Sequence, residues 1–239
     1  MLYHLLNENY QGELLMAIDW YILDHGIPFL HTFTWSPPYI SIGYLQSLEG
    51  LNLNTIKKHG FSIVRRPTGG KAVVHTGDIS LAIFLPSHML PKRSKDAYYT
   101  MSEVLKTALE NISGINISRT TAEAYQHYEG CFSSSTGYEL GIDNQKIAGI
   151  AVRKTRKGML MHASIRMKPF PPFVESFFNP PETPKGTSFA SYGISFSPHV
   201  LHKTLINILS KKYNLSKQPL PDFKTLIDSR YLDKVSVSA

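Results

Sequence analysis

Two strand-like runs, Tyr138 to Ile142 and Lys146 to Val152, are separated only by Asp143-Asn144-Gln145, and this spacing limits the fold more than any other feature of the chain. Asp and Asn tolerate the left-handed backbone that a tight hairpin turn demands, so the two runs are expected to pair antiparallel. Met159 to Met167 can continue the same sheet. Further strand-like runs lie at Phe29 to Trp35, Tyr39 to Tyr44, Phe61 to Val64 and Asp78 to Leu85. Helical spacing of apolar residues predicts a first helix over Gly12 to Asp24, and a second after Ser94 as N-cap, with Tyr98, Met101, Leu105, Ala108, Leu109 and Ile112 on its apolar face. A last helix starts near Ser197 or Pro198 and runs to Tyr213, and Asn54 caps a short helix that ends near His59. Strands outnumber helices without regular alternation, which favours one α+β domain over 1–239 and disfavours a doubly wound sheet. Pro169 to Pro184 reads as a proline-rich surface excursion, and 214–239 as a short tail that wraps back.

Between two of these runs stands Arg65-Arg66-Pro67-Thr68-Gly69-Gly70-Lys71-Ala72-Val73-Val74-His75, which reads as a charged, glycine-containing loop. Gly69 and Gly70 let a ligand approach backbone N–H groups, while Arg65, Arg66 and Lys71 surround that approach with positive charge. Such a cradle suits a phosphate, a carboxylate or a polarised carbonyl. The other reading is a solvated turn with basic neighbours, and two glycines do not decide between them.

Cys131, the one cysteine, lies in Glu129-Gly130-Cys131-Phe132-Ser133-Ser134-Ser135-Thr136-Gly137, a small and polar stretch expected to form an exposed loop. A lone cysteine is usually a small buried hydrophobe, but this stretch offers little apolar burial. As a nucleophile it would need a nearby positive charge, which Lys146 supplies if the hairpin brings the two together. Lys146 reads either as a solvated turn lysine or as a cation polarising a carbonyl, with Ala148-Gly149 after it leaving room for a ligand against the strand. His75 has three readings: a buried hydrogen-bonded histidine, a general base, or a shaper of the pocket. The ten histidines are dispersed and the thiol has no partner at ligand spacing, so no metal site is expected.

Lys and Arg total 25 against 18 Asp and Glu, a formal net charge of +7 in 239 residues, which points to an acidic partner. Zinc-finger spacing, basic-zipper heptads and RNA-recognition aromatics do not occur, so an acidic protein is as good a candidate as nucleic acid. A single cysteine fits a reducing compartment. The first eight residues lack the pattern of a signal peptide, and no run of about 18 apolar residues occurs. A cytoplasmic protein without a membrane segment is the expectation.

The Arg65–His75 stretch together with Gln145-Lys146-Ile147-Ala148-Gly149 closely resembles the two signature segments of the biotin/lipoate protein ligase and lipoyl/octanoyl transferase superfamily. Leu15 to Asp19, Tyr39 to Gln46 and Met161 to Ile165 resemble its opening helix, early strand and later strand, so the likeness covers roughly residues 10 to 170. It implies a catalytic domain of mixed, mostly antiparallel sheets flanked by helices. Within the superfamily, Cys131-Phe132 followed by Tyr138-Glu139-Leu140 is similar to the cysteine-dependent octanoyltransferases of the LipM type. That resemblance implies Cys131 and Lys146 as catalytic residues, and Arg65, Arg66, Thr68, Gly69, Gly70, Lys71, His75, Ala148 and Gly149 as the substrate site. It further implies octanoyl–acyl carrier protein as donor, an apo lipoyl domain or glycine cleavage H protein as acceptor, and no cofactor. Trp35, Tyr44 and Val73 are candidates for an apolar tunnel. An ATP-dependent lipoate–protein ligase, using ATP and Mg with Arg65, Gly69, Gly70 and Lys146 on the acyl-adenylate, is the alternative. The sequence departs from that group at Lys71, where ligases usually carry a third glycine, and at Thr136 to Glu139, where an Asn-Asp pair is usual. The Gly-Arg-Gly-Arg-like motif of biotin ligases does not occur, and a non-catalytic nucleic-acid-binding module is the alternative of another class.

Overall fold

The hairpin at Asp143 is present, and its turn holds Asp143 at φ 50° and Asn144 at φ 62°, both in the left-handed region that these two side chains tolerate. The structure, a computed structural model, describes residues 1–121, 128–133, 139–219 and 227–237. Its strands and helices are, in chain order, β1 (Leu2–Tyr10), α1 (Gly12–His25), β2 (Phe29–Trp35), β3 (Tyr39–Ile42), α2 (Leu53–Lys58), β4 (Ser62–Arg65), β5 (Val73–His75), β6 (Asp78–Pro86), α3 (Ser94–Ser113), β7 (Ser118–Arg119), β8 (Leu140–Ile142), β9 (Gln145–Lys154), β10 (Gly158–Arg166), α4 (Pro198–Tyr213), β11 (Lys217–Pro219) and α5 (Ser229–Val235). Eight strands form one sheet in the order β11-β1-β2-β6-β10-β9-β8-β7, and three form a smaller one, β4-β3-β5. The pairs β11–β1, β1–β2 and β3–β4 are parallel and the others antiparallel, which is the mixed, mostly antiparallel arrangement expected. No described helix is long and apolar enough to cross a membrane.

Strand β6 shows how the layers form, because every residue in it is buried and its two faces serve two cores. Ile79, Leu81, Ile83 and Leu85 pack with Met101, Leu105 and Leu205 of α3 and α4. Ala82 and Phe84 meet Leu15, Ile18 and Ile22 of α1 on the opposite face. A third cluster joins Ile40, Ile42 and Val74 of the small sheet to Val174 and Phe177. The face toward α1 turns polar along the strands, where Ser80 and Asp78 of β6 lie opposite Ser164 and Arg166 of β10. That polar end faces the small sheet, and the site lies between them.

Several sequence expectations change. Asn52, not Asn54, caps α2 by accepting from the Thr55 N–H, and Ser94 is the first residue of α3, with Arg93 at the cap position. The stretch read as one loop to His75 ends at Ala72, since Val73 to His75 pair with β3. Pro169 to Pro184 is no mere surface excursion, because Pro172–Phe177 forms 3-10 turns that bury Val174 and Phe177 against the small sheet. The tail folds back as expected, adding β11 beside β1 and setting Tyr231 and Val235 of α5 on the α1 core. Tyr138, placed in the first hairpin strand by its sequence, lies outside the described residues.

Asp19 of α1 ties the layers together. Its Oδ1 accepts from His31 Nδ1 of β2 at 2.8 Å and its Oδ2 from His162 Nε2 of β10 at 2.9 Å, and Asp19 is fully buried. The chain continues from His162 Nδ1 to Thr68 Oγ1 at 2.9 Å and from His31 Nε2 to Asn7 Nδ2 at 3.1 Å. Burial alone would raise the Asp19 carboxyl, but His31 and His162 outweigh it and hold the group below its usual value. A carboxyl that loses its proton more readily in the folded state contributes stability above its unfolded value of about 4, and that contribution is lost as pH falls through the lower folded value. Replacing Asp19 with Ala is expected to lower the unfolding free energy at pH 7 by about 3 kcal/mol and to flatten the loss of stability on acidification. Urea unfolding at pH 7 and at stepwise lower pH checks both, and a variant as stable as wild type would rule the network out as a structural tie.

Candidate active site

Strand β9 begins Gln145-Lys146-Ile147-Ala148-Gly149. Its register against β8 runs Ile142 to Gln145, Gly141 to Lys146 and then Leu140 to Ala148, so Ile147 is an extra residue, a β-bulge. A regular strand would put Lys146 and Ala148 on one face and Gly149 on the other. The bulge inverts the alternation. Ile147 and Ala148 both enter the core under α3, while Lys146 and Gly149 both face Cys131. Lys146 Nζ lies 3.5 Å from Cys131 Sγ, and a Cβ added at Gly149 would lie 2.9 Å from the same sulfur. The expectation that Ala148 borders the substrate is therefore corrected, since it is a fully buried core residue, and the space beside the thiol comes from Gly149.

Lys146 is a buried cation and not a solvated turn lysine. Only 5% of its surface is exposed, and Nζ donates to the Cys131 carbonyl oxygen at 2.6 Å and to Glu139 Oε1 at 3.1 Å as well as facing the sulfur. Cys131 is half-buried, contrary to the exposed loop expected, and opens a 3-10 turn over Cys131–Ser133. Its backbone is joined to the basic loop, with Cys131 N donating to Ala72 O at 2.7 Å and Ala72 N to Glu129 O at 2.8 Å. Residues 134–138 of the expected cysteine loop, including Thr136 to Tyr138 at the departure from the ligase pattern, lie outside the described residues.

The loop before β5 uses its arginines internally. Arg65 Nη1 donates to the carbonyls of Gly43, Tyr44 and Gln46 at 3.0, 3.0 and 2.9 Å. Buried Arg66 donates from Nη1 to Ser41 O at 2.7 Å and from Nη2 to Gly69 O and Lys71 O, both at 2.7 Å. Burial pulls Arg66 down to about 10. Gly70, at φ 86°, needs the conformational freedom of glycine, and its carbonyl oxygen fills the space where a Cβ on Gly43 would stand. Lys71 turns outward, 40% exposed and 3.6 Å from Glu129, so it stands at the rim and not in the cradle. Thr68 is fully buried against His162.

A cleft open to solvent, with about 450 Å³ of space counting its open mouth, lies beside Cys131, Gly70 and Gly149. Met16, Phe33, Trp35, Val73 and Leu81 give it apolar walls, and Arg66, His75, His162 and Ser164 bring polar groups to it. Such a mixture of apolar walls and a few polar groups is usual for small-molecule sites. Tyr44 is not in its lining but lies on an adjoining shelf, with the Arg153 guanidinium 3.8 Å from the centre of its ring. His75 proves to be a buried hydrogen-bonded histidine that also shapes the cleft. Its Nδ1 is 2.8 Å from Asp78 Oδ2, its Nε2 is 2.8 Å from Ser41 Oγ, and its ring stacks on Trp35. Burial pushes His75 below its ordinary value despite Asp78, so the neutral ring donates from Nδ1 and accepts at Nε2, which leaves neither nitrogen open to act as a base. Among the described residues no group of His, Cys, Asp and Glu is arranged to hold a metal ion.

Two carboxylates at the site carried no role in the sequence reading. Glu139 pairs with Lys146, and Glu182 accepts from the N–H groups of Glu129 and Gly130 at 2.6 and 2.9 Å. Glu139 stands beside the hairpin, where a carboxylate next to a buried strand lysine was a usable signal. Glu182 lies 51 residues beyond Cys131, in the proline-rich stretch, and no local pattern links the two.

The comparisons agree with this architecture. A lipoate-protein ligase A bound with ATP superposes with a TM-score of 0.79 at 20% identity, covering 98% of this chain and 94% of that one. A bipartite lipoate protein ligase studied with its E2 lipoyl domain from Thermoplasma acidophilum gives 0.73 at 20% identity, over 97% and 91%. In sequence, an octanoyltransferase LipM of Clostridioides difficile is 33% identical over 171 residues, 66% of this chain and 63% of the relative. Its counterpart in Symbiobacterium thermophilum is 31% identical over 166 residues, 64% and 61%. The chain thus spans about three fifths of the length of the curated relatives it matches. The family described as the lipoyl protein ligase A/B catalytic domain matches residues 12–193, which takes in α1, the basic loop, Cys131, the bulged strand and Glu182, and the chain belongs to that family.

Proposed function

We propose that the protein is an octanoyltransferase of protein lipoylation that works through a thioester on Cys131. The observation that carries this reading is the Cys131 sulfur set 3.5 Å from the buried Lys146 ammonium at the opening of a largely apolar cleft. In the first step the Cys131 thiolate attacks the carbonyl carbon of an octanoyl thioester on acyl carrier protein. The new S–C bond replaces the old one, and the carrier thiolate leaves and takes up a proton. Lys146 steadies the sulfur anion before attack and the carbonyl oxygen as charge develops on it. In the second step the ε-amine of a lysine on an apo lipoyl domain or glycine cleavage H protein attacks the octanoyl-enzyme. A C–N bond forms, the S–C bond breaks, and the amine proton passes to the departing sulfur. Lys146, hydrogen-bonded to that sulfur, is the group placed to carry it. The aliphatic chain lies along Trp35, Phe33 and Met16, and the cytoplasm, where carrier and acceptor meet, is the place of action.

Two of the four residues expected around an acyl-adenylate favour the thioester route: Arg65 gives its hydrogen bonds to backbone carbonyls, and Lys146 is shared between Cys131 and Glu139. The reading is tested by incubating the protein with octanoyl–acyl carrier protein in the absence of ATP and measuring intact mass. One octanoyl adduct on Cys131, released by hydroxylamine and missing from Cys131→Ser, is the expected result. Transfer by Cys131→Ser that needs ATP would replace this mechanism with the ligase one.

Gly149→Ala supplies a second test. The added methyl would sit 2.9 Å from Sγ, closer than Cβ atoms pack, so the sulfur must move away from Lys146. Transfer is expected to fall on the order of a hundredfold with melting temperature little changed, because a displacement of about 1 Å at the reacting atom has that effect. Unchanged single-turnover acylation in this variant would show that the sulfur position is not critical.

A further inference from the structure

The stretch from Glu182 to Thr187 touches both halves of the thiol–lysine pair. Glu182, 6% exposed, accepts with Oε1 from Glu129 N and with Oε2 from Gly130 N, the two N–H groups immediately before Cys131. Three residues on, Lys185 N donates to Phe132 O at 2.8 Å, just after the cysteine, and Thr187 N donates to Lys146 O at 2.8 Å. Gly186 fits between them without a side chain, since a Cβ there would stand 2.6 Å from Lys146 O and 2.7 Å from the Phe132 ring. The strap therefore grips the cysteine turn on both sides and the lysine strand at one point.

We propose that Glu182 is a positioning residue for the reaction of Cys131, fixing the turn so that the sulfur meets Lys146. The inference rests on the proposed thioester mechanism for its purpose, and on geometry alone for its effect on the thiol. A carboxylate suits this place because it has two acceptor oxygens and no donor. The N–H groups of adjacent residues need two acceptors side by side, and a carboxamide of the same shape offers one oxygen and one NH2, the latter pointed at an N–H. Cys131 N is engaged with Ala72 O, so the basic loop holds the cysteine from one side and Glu182 holds the preceding peptides from the other. With the carboxylate altered, the Glu129 and Gly130 N–H groups lose their acceptors, and the turn is left to Ala72 on one side and to the Lys146 bond to the Cys131 carbonyl on the other. The sulfur then holds its place beside Lys146 less firmly.

The test compares wild type with Glu182→Gln and Glu182→Asp in the full chain. The first readout is the second-order rate of Cys131 alkylation by iodoacetamide across pH, which needs neither carrier nor acceptor. The second is octanoyl transfer, separated into kcat and KM for the acceptor. For Glu182→Gln, alkylation near neutral pH is expected to slow about tenfold, with its pH profile moved upward, and kcat to fall on the order of ten- to a hundredfold at little-changed KM. Glu182→Asp keeps both oxygens on a shorter stem and is expected to recover part of the rate. A folded Glu182→Gln protein, by circular dichroism and melting temperature, with wild-type alkylation overturns the inference. If only Glu182→Asp folds, its alkylation profile decides in the same way, and loss of folding in both assigns Glu182 to stability and overturns it. Should wild type alkylate at Cys131 yet form no octanoyl adduct, the thioester reading fails, while the alkylation comparison still judges Glu182.

Discussion

The arrangement depends on burying one ammonium. Lys146 is drawn out of water at the start of a strand that otherwise enters the core, and a charge so placed is tolerated only with close hydrogen-bonding partners. Glu139 supplies the countercharge and the Cys131 carbonyl a neutral acceptor. The sulfur lies 3.5 Å from the same ammonium. The bulge at Ile147 is the backbone form of the same constraint. One extra residue allows Ile147 and Ala148 to satisfy the core while Lys146 and Gly149 face the thiol together.

Around this pair, polar side chains hold other polar side chains and leave the cleft walls apolar. Asp78 Oδ2 receives His75, Ser80 and Ser164, and Ser80 in turn accepts from the Trp35 indole. Asp19 receives His31 and His162. In both networks a buried carboxylate fixes the orientation of histidine rings, of which His75 and His162 line the cleft. Trp35 stacked on His75 is one such wall. Rigid walls of this kind limit how anything bound in the cleft can lie.

The sequence made much of this legible, and the exceptions have physical causes. Strand β2 runs from Phe29 to Trp35 as its residues indicate, and Ser197 caps α4 before a proline at its first position, a local signal that tertiary contacts do not override. Strand β1 escaped notice because Leu2 to Tyr10 mixes His, Asn and Glu with apolar residues, and its partners β2 and β11 are parallel neighbours that leave no turn signal. Cys131, Lys146 and Gly149 are each nameable from the sequence but their meeting is not, and Ala148, named beside Gly149 for its small size, is carried into the core by a bulge that the sequence does not announce. Lys71 was assigned by proximity to the glycines, and its side chain found Glu129 at the rim instead. Glu182 had no local pattern at all, since its ligands are two backbone N–H groups that every residue but proline carries.

Charge in the sequence also differs from charge available to a partner. Arg65 and Arg66, the densest basic point of the loop, are turned to carbonyl oxygens and shape the backbone. The charge that a macromolecule would meet near the opening is Lys71 at the rim and Arg153 on the shelf beside Tyr44. Arginines hydrogen-bonded to backbone carbonyls are held in place, whereas a rim lysine on a flexible stem adapts its position. One basic loop thus divides its charge: arginines turned inward that shape the backbone, and Lys71 at the rim beside Glu129.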